Sequence, residues 1–398
     1  MRFLLPKPYR LCLALLCIAG IAFFGVSRMT THAANNGALQ DPSQSSWGMY
    51  GFDSQHSQYN PYETVLSPST VPGLTLDWSY KTVHTSYTAQ PVVANGLVYI
   101  NSSDGKLRVL DASTGALRWL WNASVSMPLS TPAVVNGIVY LGADALYALD
   151  ATTGSWLWDY STKGKGDTFT SPVVVNGVVY VGTSSGKLFA LNATTGARLW
   201  VQAAGGSAFA PVVANGVVYD GQYTIYAVNA ANGTILWSKT TSIDLGSPCT
   251  FSITLDILYT CTTNMIYALG GQLGTIKWKY AMHQHITAPA LANGVLYANA
   301  SQKLVALDPR RGKPLWTIGK GNFDNRYADG SDAPPVVANG VLYVDFTSAS
   351  HGWIYAVDTS TGSRLWTFTK MNVQSDFSVV ANGMLYVGSD KVYAFHLL

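Results

Sequence analysis

Charge is scarce in this 398-residue chain, where Asp, Glu, Lys and Arg together make up only 11%. The formal net charge of +3 overstates even that. Arg2, Lys7, Arg10 and Arg28 all lie in the first 33 residues, which hold no acid. Without them twenty basic residues face 21 acidic ones, a net charge of −1. No stripe of Lys and Arg with interleaved aromatics occurs either. Together these absences exclude a basic face for nucleic acid or for an anionic membrane.

Cysteine is equally sparse, with four residues in all. Cys12 and Cys17 fall in the N-terminal leader, which leaves Cys249 and Cys261 placed symmetrically about Leu255. In an oxidising compartment a cross-strand disulfide between them is one reading, and two buried free thiols is the other. No Cys-x-x-Cys and no His at ligand spacing accompanies them, so no redox or metal role follows. Catalytic signatures are missing too: there is no Walker loop, no His-Glu-x-x-His and no Gly-x-Gly-x-x-Gly. Gly182-Thr183-Ser184-Ser185-Gly186 matches the Gly-x-Ser-x-Gly pattern of hydrolases. It sits in a turn between two short β-runs, whereas a nucleophile elbow needs a strand-turn-helix context.

The leader has the plan of an export signal. Arg2, Lys7 and Arg10 precede an apolar run from Leu11 to Val26, and Thr31-His32-Ala33 offers a small-residue cleavage site. The run is short for a membrane span, with an uncleaved anchor as the alternative. Leu15-Leu16 before Cys17 is not a lipobox. Residues 34–46, rich in Asn, Gln and Ser, read as a linker. The expected product is secreted or held in the cell envelope, with no membrane insertion beyond the signal segment.

What the chain has in abundance is repetition. Trp78, Trp119, Trp158, Trp200, Trp237, Trp278, Trp316 and Trp366 follow one another at gaps of 37 to 50 residues. A period near 40 marks one supersecondary unit copied many times, each copy burying its apolar face against the next. Residues 170–200 show the unit as four short β-runs separated by turns, with no helical period. Asn-Gly, suited to a type I′ hairpin, recurs at Asn95, Asn136, Asn176, Asn215, Asn293, Asn339 and Asn382. The copy at Leu255-Asp256 is degenerate. Ala-x-Asp-x-x-Thr-Gly-x-x-x-Trp is complete at Ala148–Trp158 and Ala356–Trp366, with variants at Asn192, Asn229 and Asp308. Its Asp or Asn accepts backbone hydrogen bonds and its Gly takes a left-handed conformation, which is turn chemistry.

The fold class follows: all-β, an eight-bladed β-propeller of four-stranded antiparallel blades. The last copy ends at Ala394-Phe395-His396 without a tryptophan, whereas Trp78 precedes the first complete copy. The N-terminal strand therefore supplies the outer strand of the last blade and closes the ring. The domains are a signal peptide (1–33), a linker and N-terminal segment (34–73) and the propeller (74–398).

On these motifs the chain resembles the pyrroloquinoline-quinone (PQQ)-like repeat superfamily over residues 74–398. The resemblance makes the Asp-x-x-Thr-Gly-x-x-x-Trp unit that family's tryptophan-docking motif, with each Trp packed on the neighbouring blade. Trp47 to Asp53 and Tyr59-Asn60-Pro61 also resemble the segment that precedes the propeller in quinoprotein alcohol dehydrogenases. In that branch a vicinal Cys-Cys disulfide and a Trp sandwich PQQ, Glu and Asn hold Ca²⁺, and an Asp acts as base. Here no cysteines are adjacent and the innermost runs carry no Trp, so no cofactor is expected; PQQ with Ca²⁺ is the alternative. The other branch resembles the BamB-like propeller subunit of the outer-membrane β-barrel assembly machine, which binds partner proteins without a cofactor. A carbohydrate- or cell-wall-binding propeller is a third reading.

Departures from the repeat mark the candidate binding rim. His283 and His285 lie between blades 5 and 6. Asp324, Arg326, Asp329 and Asp332 lie in an enlarged connection between blades 6 and 7. His351 lies in the long middle hairpin of blade 7, and Asp376 between blades 7 and 8. All these connections fall on one face of a propeller. A tolerated insertion is the plain alternative. Asp324, Asp329 and Asp332 offer oxygen ligands for Ca²⁺ but match no EF-hand spacing, and zinc at His283 and His285 lacks a third ligand. The sequence thus points to an exported, monomeric, non-catalytic scaffold for a protein or extracellular ligand.

Overall fold

The computed structural model describes residues 46–82, 88–122, 130–162, 166–204, 210–221, 224–240, 252–254, 256–262, 264–282, 286–300, 303–319, 333–347, 352–370 and 377–398. Their strands form eight separate sheets, so the expected eight-bladed propeller is what the chain builds. From the axis outward, blade 1 is Val92–Ala94, Leu97–Ser102, Lys106–Asp111 and Leu117–Asn122. Blade 2 is Ala133–Val135, Ile138–Gly142, Leu146–Asp150 and Trp156–Tyr160, and blade 3 is Val173–Val175, Val178–Gly182, Lys187–Asn192 and Arg198–Ala203. Blade 4 is Val212–Ala214, Val217–Asp220, Thr224–Asn229 and Ile235–Thr240. Blade 5 is Ser252–Thr254, Ile257–Cys261, Met265–Gly270 and Ile276–Ala281. Blade 6 is Ala290–Ala292, Val295–Ala300, Lys303–Leu307 and Pro314–Ile318, and blade 7 is Val336–Ala338, Val341–Thr347, Gly352–Asp358 and Arg364–Lys370. Blade 8 takes Phe377–Ala381, Met384–Gly388 and Lys391–Leu397 from the C-terminus and Leu74–Lys81 from the N-terminus. Innermost strands touch their neighbours around the axis at seven of the eight joints, blade 8 against blade 1 included.

The turns behave as their residues demand. Every Asn of the recurrent Asn-Gly pairs has φ between 43° and 54°, the left-handed region that Asn and Gly tolerate best. In the degenerate copy Asp256 takes φ 62° where the other blades have Gly, and the hairpin still forms. At the outer turn Asp150 Oδ1 accepts from Thr152 N, Thr153 N and Thr153 Oγ1 at 3.0, 2.8 and 2.9 Å. Those bonds, led by that from the Thr153 amide, hold its carboxyl below the usual range. Ser184 Oγ likewise serves a turn, accepting from Thr168 N at 3.0 Å.

Blades are joined by a repeated clasp. A β-bulge precedes each docking tryptophan and re-aims its indole toward the next blade. Trp119 Nε1 donates to Ala151 O at 3.3 Å, and Tyr99 OH donates to the same oxygen at 3.1 Å. Ala193 O is served in the same way by Trp158 and Tyr140, and Ala230 O by Trp200 and Tyr180. Gly271 O takes Trp237 and Tyr219, Pro309 O takes Trp278 and Tyr259, and Ala112 O takes Trp78 and Tyr386. One buried carbonyl with two lone pairs thus receives two donors across each of these joints. The tyrosine was not read from the sequence, although it follows each Asn-Gly at a fixed offset, as in Asn95-Gly96-Leu97-Val98-Tyr99.

The expected closure is present: Leu74–Lys81 pairs antiparallel with Lys391–Leu397, Trp78 opposite Ala394. The clasp changes at this seam. Trp366 Nε1 donates to Leu74 O at 3.0 Å, but Tyr343 OH is buried without a hydrogen-bond partner among the described residues. No Asp turn precedes Leu74 to receive it; a 3-10 turn, Val71–Gly73, stands there instead.

Candidate functional site

The propeller has two unlike faces. One carries the Asn-Gly turns and the Asp turns. The other carries the connections from each outer strand to the next innermost strand, together with the middle hairpins. Residues 283–285, 320–332, 348–351 and 371–376 lie outside the described residues, as does the leader. The candidate rim residues His283, His285, Asp324, Arg326, Asp329, Asp332, His351 and Asp376 therefore all lie outside the described residues. Cys249 also lies outside; Cys261 is buried, its Sγ 3.7 Å from Thr287 O.

At the axis the structure shows something the sequence did not. Residues 47–60 form a strap across the innermost strands. Trp47 pairs with Val93 through both backbone bonds, at 2.7 and 2.9 Å. Gly48 O accepts from Val134 N, Ser54 O from Val213 N, Ser57 O from Leu291 N and Gln58 O from Val337 N, all within 2.7 to 2.9 Å. Tyr59–Asn60 then runs parallel to the inner strand of blade 7, and Asn60 Nδ2 donates to Val380 O of blade 8 at 2.7 Å. The strap satisfies inner-edge amides that the blades cannot satisfy themselves.

Side chains complete this hub. Trp47 and Phe52 meet edge to face at 5.2 Å, and His56 meets Tyr50 likewise at 5.1 Å. Gln90 Oε1 accepts from Gly51 N at 3.0 Å, and its Nε2 donates to Gln58 Oε1 at 3.2 Å. Asp53 Oδ1 accepts from the amides of Gln55 and Ser57. Further out, buried Glu63 accepts from Val65 N, Leu66 N and, across the seam, Gly383 N.

The residues entering the innermost strands from the second face include Gln90, Thr131, Ser171, Ala210, Ala288 and Pro334. They bring no carboxylate and no indole to a quinone. Among the described residues no three His, Cys, Asp or Glu converge as metal ligands. In blade 1 Arg108 replaces the Tyr, Phe or Val of other blades, but its guanidinium is paired with Asp104 at 2.6 Å and bonded to Ser102 Oγ. Of the aromatics, only Trp156 (60%) and Tyr62 (43%) are largely exposed among the described residues.

An eight-bladed ring clasped in this manner defines a PQQ-like repeat propeller. The chain belongs to the family described as outer membrane protein assembly factor BamB, whose pattern matches residues 72–219, 143–279 and 202–397. It is 28% identical over 219 residues to the BamB of Yersinia pestis, covering 52% of this chain and 47% of that one. It is 25% identical to tetrathionate hydrolase of Acidithiobacillus ferrooxidans, covering 75% of this chain and 62% of that one. It is 27% identical to the dehydrogenase subunit of a quinone alcohol dehydrogenase of Gluconobacter oxydans, covering 37% and 22%. The chain thus spans less than two thirds of each of these relatives. Among solved structures, a europium-containing methanol dehydrogenase superposes with TM-score 0.72 at 16% identity, over 90% of this chain and 99% of that one. BamB from Moraxella catarrhalis does so with TM-score 0.62 at 17% identity, over 81% and 97%. These two likenesses speak to the fold alone.

Proposed function

We propose that this protein is an exported, non-catalytic scaffold that holds a protein partner through its second face. The blade 5 to blade 8 sector bearing His283, His285, Asp324, Arg326, Asp329, Asp332, His351 and Asp376 is the recognition rim. The observation that carries the reading is the commitment of the opposite face. The Asp and Asn side chains of its outer turns are turn acceptors, the glycines of those turns are docking pads, and the strap is bonded across the innermost strands. On this reading the departures from the repeat serve the other side. Kinship with BamB, an assembly factor by name, agrees with a protein partner.

The second reading is a quinoprotein dehydrogenase, favoured by the alcohol dehydrogenase relatives. The purified protein should be titrated with PQQ and Ca²⁺ by calorimetry and assayed with alcohols and an artificial electron acceptor. The scaffold reading expects neither saturable heat nor turnover; both together would establish the dehydrogenase. A glycan array tests the carbohydrate reading, for which Trp156 is the best-exposed aromatic platform among the described residues.

A further inference from the structure

The strap is held in the hub with polar atoms left over. Both ring nitrogens of His56, Nε2 of Gln58 and Nε1 of Trp47 are buried with no hydrogen-bond partner among the described residues. Each residue is at most 1% exposed. A buried donor or acceptor without a partner costs roughly 1–3 kcal/mol. The same segment holds Phe52, His56 and Gln58 in the left-handed region, at φ 80°, 53° and 54°. Such backbone persists only where its surroundings impose it. Strain and unmet polar groups are therefore concentrated in one segment, which the blades hold mainly through single hydrogen bonds.

We infer that the strap is an acid-released cap: protonation of His56 expels residues 47–60 from the axis while the blades stay folded. An imidazolium carries two N–H donors, and neither ring nitrogen has a hydrogen-bond partner among the described residues. The titratable groups beside it are Tyr50, which meets the ring edge to face, and Asp53, whose carboxylate already accepts from Gln55 and Ser57. Burial alone lowers the His56 pKa from 6.5 to about 3, with no charged neighbour contributing. The closed form thus binds fewer protons than the released one below pH 6.5, so release grows as pH falls and levels off near 3. Between pH 7.5 and 4.5 the released population rises roughly a hundredfold. Burial raises the Asp53 pKa and so works in the opposite sense just above 3.8. A His56 variant is therefore more diagnostic than the pH profile alone.

Hydrogen exchange on the full-length protein tests this, at pH 7.5 and 4.5 and corrected for intrinsic rates. Wild type should lose protection roughly a hundredfold in residues 47–60 and at the amides of Val93, Val134, Val213, Leu291 and Val337. The ladders between middle and outer strands should keep theirs. In His56→Gln, and in His56→Asn as a second variant, strap protection should not fall between pH 7.5 and 4.5. Three results would overturn the inference: no acid loss in wild type, the same loss in the folded variants, or strap opening only together with the blades.

Discussion

Trp119 of blade 1 lies flat against Gly154 of blade 2, so close that a Cβ on Gly154 would come within 2.7 Å of the indole ring. The same relation joins Trp78 to Gly115, Trp158 to Gly196, Trp200 to Gly233, Trp237 to Gly274 and Trp278 to Gly312. Glycine there does two things at once. It permits φ near 70° and it leaves room for the ring that seals the joint.

Two glycines separate these roles. Gly137 and Gly154 have φ 75° and 73°, but a Cβ on Gly137 would meet nothing within 4 Å. Gly137→Ala should cost only the left-handed strain, roughly 1–2 kcal/mol. Gly154→Ala should cost that and a further 1–3 kcal/mol or so from overpacking on Trp119. Denaturant midpoints of the two variants measure the difference; equal midpoints would remove the docking argument.

The clasp predicts opposite outcomes for two chemically identical changes. Tyr99→Phe removes a donor from Ala151 O and should cost about 1 kcal/mol. Tyr343→Phe removes a buried hydroxyl that has no partner and should be neutral or stabilising. Thermal unfolding of both variants decides it, and a larger loss for Tyr343→Phe would contradict the account of the seam.

Ring closure rests on the N-terminal strand. Deleting residues 70–82 removes Trp78 and the whole partner of Lys391–Leu397. Losing an entire strand of the last blade together with the partly buried Trp78 leaves two edges unpaired, so this deletion should abolish a cooperative melt. Deleting residues 34–46 stops short of Trp47 and should leave the melting temperature unchanged. Equal melting temperatures for the two deletions would contradict the closure.

The repeat was legible because its signals are local. Asn-Gly, Asp-x-x-Thr-Gly and the spaced tryptophans each specify their own turn or joint, and together they imply blade number and closure. Tyr99 and its counterparts carried an equally regular signal, but a tyrosine in a β-branched run reads as an ordinary strand residue. The strap was not legible at all. Trp47 to Asp53 and Tyr59-Asn60-Pro61 read only as a segment preceding the propeller. Their partners, Val93, Val134, Val213, Leu291 and Val337, lie far along the chain, and nothing local announces φ above zero at Phe52 or His56. The rim rests on departure from the repeat, which locates a difference without naming its ligand.

The central claim, a binding scaffold that works through its second face, is tested most directly at the enlarged connection. Asp324, Arg326, Asp329 and Asp332 should be replaced together by Ala, with a control variant altered at Lys187 and Lys239. Surface changes of this kind usually stay within about 0.5 kcal/mol each, so both variants should melt like wild type. Quantitative pull-downs from envelope extract would then be compared. The account predicts that proteins captured by wild type and by the control are lost from the loop variant. The same proteins captured equally by all three would contradict it.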